Sequence, residues 1–152
     1  DFTVQCFFSS CFPVNEGVLE NLKLLFLGSV LLGIVQAIFI KGLPDNFWTG
    51  KLVAILASSI FFVLIYYFVT DVFFKGEHNF LFTMIIYLLA IIIGQYLSYK
   101  TIITDSNMKN TKEISIFFIL MIFLGFIYLT YNPIETRLFL DESTNSYGIS
   151  DE

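Results

Sequence analysis

Charged residues are scarce in this chain: Asp, Glu, Lys and Arg make up 14% of its 152 residues, where a soluble domain carries about a quarter. An ordinary water-soluble globule is therefore excluded. A basic excess is also missing, since the net charge is −5, so the footprint that a phosphate backbone requires is absent and no nucleic-acid partner is expected. With one His and two Cys, the chain lacks an HExxH or paired CxxC motif, and it has neither a Gly-rich phosphate loop nor a serine nucleophile elbow. No cofactor is implied. What the chain has in abundance is apolar: 57% hydrophobic residues, including 19 Phe.

That apolar content falls into four uncharged stretches, residues 24–40, 52–70, 80–99 and 114–131. Each approaches or reaches the roughly 20 residues with which a helix crosses about 30 Å of hydrocarbon. Barrel strands, the other way to satisfy backbone groups in lipid, would alternate apolar with polar, and these runs do not. Asn15 is placed to cap the first helix, which then enters the interface near Glu16 and passes Lys23 by snorkelling. The expectation is an all-α integral membrane protein, an up-and-down helical bundle in a single domain. Its spans lie at about 22–40, 52–70, 80–99 and 114–131, helices A to D, with an N-terminal segment 1–21 and a C-terminal tail 132–152. Linkers this short make consecutive helices antiparallel neighbours.

Orientation follows from the loops. The A/B and C/D linkers hold Lys41, Lys51, Lys100, Lys109 and Lys112 against three acids, whereas the opposite end holds Lys23, Lys75 and Arg137 against ten. The positive-inside rule places both linkers in the cytoplasm of a cell-membrane protein, with both ends of the chain outside. The chain begins at Asp1 rather than Met, which is read as a removed signal peptide or a missing first helix.

Within the spans, small residues recur at four-residue spacing: Ser29 and Gly33 in A, Ala54 and Ser58 in B, Ala90, Gly94 and Ser98 in C. Lipid gives helices no hydrophobic reason to associate, so close backbone approach at such seams must hold them together. Gln36 and Gln95 are the amide side chains inside the spans, expected to bond across the A/C interface or to line a polar path. No ionisable residue is central in any span, which weakens the case for an ion-coupled carrier.

At the outer end, Glu16 and Glu20 are four apart and Lys23 three further, so a helix aligns them on one face. With His78 from the B/C loop they are weak candidates for a divalent metal, and a solvated helix cap is the simpler reading. No metal is assigned. Cys6 and Cys11 are either bridged or free.

Three segments carry a resemblance: Pro13-Val-Asn-Glu16 with Glu20 and Leu22-Lys-Leu24, then Gly94-Gln95 with Ser98-Tyr-Lys100, then Leu138-Phe139, Asp141, Thr144 and Tyr147-Gly-Ile149. In that order they resemble a family of bacterial multi-pass membrane proteins classed as a domain of unknown function. The resemblance implies a five-helix protein whose first helix precedes Asp1, and it brings no activity with it. It departs from the family pattern at Leu19, Asn21 and Thr83, where relatives favour an aromatic, a His and an acid.

The first and third segments fall at the outer ends of helices A and D. They suggest an outer ligand site made of Asn15, Glu16, Glu20, Lys23, Asp141 and Tyr147, or a structural clasp in which the tail closes the bundle mouth. The functional expectation is small-ligand or ion handling, permease-like or sensory, for an unidentified small molecule. The alternatives are a non-catalytic accessory or scaffold subunit and a membrane enzyme using outer carboxylates. The expected partners are the lipid bilayer and either a second copy of the chain or another membrane protein.

Overall fold

The structure, a computed structural model, describes residues 18–73, 79–104, 111–132, 140–141 and 146–147. Its elements are α1 (Val18–Phe39), α2 (Phe47–Phe73), α3 (Phe80–Ile103), α4 (Thr111–Tyr131), β1 (Leu140–Asp141) and β2 (Ser146–Tyr147). All four helices are long and apolar enough to cross a membrane. At 1.5 Å per residue, α2 is about 40 Å long and therefore reaches past the hydrocarbon into the interface or tilts. β1 and β2 form one short antiparallel ladder, with Leu140 opposite Tyr147 and Asp141 opposite Ser146.

Side-chain bonds fix the up-and-down order. Asn46, just before α2, donates from Nδ2 to the carbonyls of Thr101 (3.0 Å) and Ile102 (3.1 Å) at the end of α3. The hydroxyls of Thr49 and Ser115 meet at 3.0 Å. Ser115 gives its one proton to the Thr111 carbonyl at 2.7 Å, so Thr49 is the donor between them. The start of α2, the end of α3 and the start of α4 thus share one end of the bundle. The turn out of α1 is made by Gly42, whose φ of +77° lies where a Cβ is unfavourable.

Packing centres on α2, which contacts each of the other three helices; α1 and α3 touch at only a few positions. The α2–α3 seam explains why. A Cβ on Gly94 would lie 2.8 Å from the Ala54 carbonyl oxygen and 3.0 Å from the Ser58 Cβ, so the two backbones are nearly in contact there. Ser29, Gly33, Ala54, Ser58, Ala90, Gly94 and Ser98 are all buried. Around the seam lie two apolar clusters, one of Val18, Leu25, Phe62, Tyr66, Ile86 and Ala90, the other of Phe26, Ile55 and Ile119. Large side chains such as Leu64, Phe68, Leu88 and Phe117 point outward. This arrangement suits a solvent of acyl chains: small residues inside gain close van der Waals contact, and large apolar ones outside lose nothing.

Candidate functional site

Lys51 is the residue around which the polar groups of the spans gather. It sits on the second turn of α2, on the seam face three positions before Ala54, and is only 2% exposed. Its stem lies across α1 at Gly33, where an added Cβ would be 3.3 Å from its Cγ and 3.4 Å from its Cδ. Its ammonium donates to Gln95 Oε1 of α3 at 3.2 Å and stands 5.5 Å from the centre of the Phe47 ring, in cation–π range. Three helices therefore hold one cation. Among the described residues no carboxylate comes within ion-pair distance of it.

Beside Lys51 opens a pocket of about 370 Å³, lined by Gln36, Lys51, Gln95 and Ser98 on its polar side and by Ile40, Phe47 and Ile102 among its apolar walls. It exists because α1 and α3 both pack on α2 without closing against each other. Ser98 differs from four other hydroxyls of the bundle. Ser58, Thr101, Ser115 and Thr130 each donate to a carbonyl of the preceding turn, the usual way a hydroxyl is satisfied inside an apolar helix. Ser98, 1% exposed, has a buried Oγ with no partner. An unmade bond in a buried hydroxyl costs about 1–3 kcal/mol, so the pocket that Lys51 lines also has in its wall a hydroxyl with an unused donor and acceptor.

Gln36 and Gln95 line one pocket; Gln95 is bonded to Lys51, and among the described residues no direct bond joins the two amides. The reason is the α1–α3 gap, into which the longer lysine side chain reaches from α2. Lys23 also differs from expectation. Rather than snorkelling to the interface it is buried at 3%, held to Glu20 Oε1 at 2.7 Å, because a partner one turn away neutralises it in place.

Of the expected outer site, Glu20 and Lys23 are therefore adjacent, and the backbones of Asp141 and Tyr147 belong to the short β ladder. Asn15, Glu16, His78, Cys6 and Cys11 lie outside the described residues. Among the described residues no three His, Cys, Asp or Glu side chains converge on a metal position.

Four long apolar helices packed through small residues make this a multi-span membrane-helix bundle. The chain belongs to a family of unknown function, DUF6512, whose model matches residues 3–149. No curated protein and no solved structure matches the chain.

Proposed function

We propose that the protein handles a small ligand in the membrane, as a permease-like or sensory bundle, and that the pocket over Lys51 is its ligand site. The observation that carries this reading is the convergence of Gln36, Lys51, Gln95 and Ser98 on one cavity in an otherwise apolar bundle. Lys51 is 2% exposed, and burying a charged group is costly unless it is paired or hydrogen-bonded. A cavity near 370 Å³ falls in the range of small-molecule sites.

The pocket end is assigned to the cytoplasmic side of a cell membrane. Lys51 and Lys23 are buried in helices, which leaves Lys41, Lys100, Lys109 and Lys112 in or beside the linkers of this end and Lys75 and Arg137 at the other. The basic bias that orients a membrane protein therefore survives the removal of both.

Cysteine accessibility tests the reading. In a Cys6→Ser/Cys11→Ser background, Gln36→Cys is expected to react with a small charged thiol reagent, while Ser29→Cys, seven residues earlier on the same face of α1, stays protected. Equal protection of both would mean a dry seam and would favour an accessory subunit that binds nothing there.

A further inference from the structure

The ligand class can be read from the charge and the rim of the same pocket. Lys51 presents a buried ammonium whose neighbours, Gln95 Oε1 and the Phe47 ring, are neutral, so no countercharge accompanies it among the described residues. A buried cation without an anion is unfavourable. The groups around it are suited to anionic oxygen: the ammonium has three donors and Gln95 takes one, Ser98 Oγ is buried without a partner, and Gln36 contributes a further amide.

The surroundings say where such an anion comes from. The pocket lies between α1 and α3 at the end of the bundle that carries exposed Lys41 and Lys100. Ile40 and Tyr99 line it and are themselves well exposed. An apolar and tyrosine-bearing rim fits the zone between headgroups and acyl chains. Basic pockets between membrane helices on the cytoplasmic side are suited to anionic headgroups, and surface lysines there raise the local concentration of such lipids.

We propose that the pocket binds the phosphate of an anionic phospholipid from the adjoining leaflet, with Lys51 and Ser98 on the phosphate oxygens and the acyl chains leaving past Ile40 and Tyr99. This rests on the pocket being the ligand site. A free phosphate ester offers the same oxygen chemistry and is separated from the lipid by experiment.

Native mass spectrometry of the detergent-purified full chain with phosphatidylglycerol or phosphatidylcholine provides the test. The intact protein is expected to retain phosphatidylglycerol preferentially. Lys51→Met is expected to lower that retention about tenfold, the worth of one charge-assisted hydrogen bond, and Ser98→Ala by a smaller factor. Lys41→Met and Lys100→Met, at exposed positions of the same end, change it little. Ser98→Ala removes one oxygen from a side chain that makes no hydrogen bond, so it keeps the test readable if Lys51→Met does not fold.

Retention that follows Lys41 and Lys100 but not Lys51 and Ser98 would mean general surface attraction and overturns the proposal. Glycerol 1-phosphate displacing the lipid at equal concentration would overturn the lipid source. No anion binding, with the thiol of the Gln36→Cys variant still reactive, would overturn the anionic ligand and leave the pocket reading standing. An unreactive thiol in that variant would remove the pocket reading itself.

Discussion

Lys51 Nζ and Gln95 Oε1, 44 positions apart in the chain, meet at 3.2 Å inside the bundle. A hydrogen bond to a charged group contributes about 1.5–3 kcal/mol, and removing one partner leaves the other buried. Gln95→Leu and Lys51→Met are each expected to lower stability by about that amount, and the double variant by clearly less than the sum. Denaturant unfolding in detergent micelles, run as a double-mutant cycle, measures the coupling. Additive losses would mean the two side chains are not bonded in the folded protein.

The α2–α3 seam makes a sharper prediction from glycines alone. Gly94→Ala would push a methyl against the Ala54 carbonyl and the Ser58 Cβ, atoms that cannot move without separating the helices. Overpacking of this kind costs about 1–3 kcal/mol. Gly125, by contrast, has nothing within 4 Å of an added Cβ, so Gly125→Ala gains helix propensity of up to about 1 kcal/mol. Thermal unfolding of the two variants is expected to shift in opposite directions. A similar loss in both would mean that the glycines are needed for backbone conformation rather than for approach.

The same seam shows what could be read from sequence and why. Four spans follow from long uncharged runs because lipid tolerates little else, and the spacing of Ala54, Ser58, Ala90, Gly94 and Ser98 locates the faces that meet. The uncharged-run criterion failed at Lys51, which it assigned to a linker. Charge marks the edge of the apolar run, yet α2 begins four residues earlier at Phe47, because helices continue into the interface, where a lysine is tolerated. Extending the seam back from Ser58 and Ala54 reaches Gly50 and places Lys51 on the packed side. That periodicity was the available signal. The Lys23–Glu20 pair was hidden for a related reason: the three-residue spacing marks the two as neighbours on one face, but only the packing of α1 shows that face to be buried.

Asn46 links two helix ends, and its replacement should be felt at both. Its Nδ2 donates to the carbonyls of Thr101, Ile102 and Thr104, which are among the carbonyls that a helix end leaves without intrahelical partners. Asn46→Asp replaces that donor with an acceptor facing acceptors. The expected loss is at least the roughly 1–3 kcal/mol of an unsatisfied buried group, with faster amide exchange in the last turn of α3 and the first of α2. Exchange that rises in α2 only would show that the amide does not hold the end of α3.

At the opposite end of α1, Glu20 and Lys23 form an ion pair whose side chains are 12% and 3% exposed. Removing one member of a buried pair typically costs about 3–5 kcal/mol, because the other charge stays behind, whereas replacing both by apolar groups is often nearly neutral. Glu20→Leu is therefore expected to destabilise the protein strongly, and adding Lys23→Met to restore much of the loss. The double variant also separates structure from function. If the pair serves packing alone, Glu20→Leu/Lys23→Met folds and behaves as the parent in every ligand assay. If it belongs to an outer site with Asn15, Glu16, Asp141 and Tyr147, the double variant still folds but loses stabilisation by any ligand that binds at that end. Thermal unfolding with candidate metal ions and small anions, in parallel with Lys51→Met, would assign the response to one end of the bundle or the other.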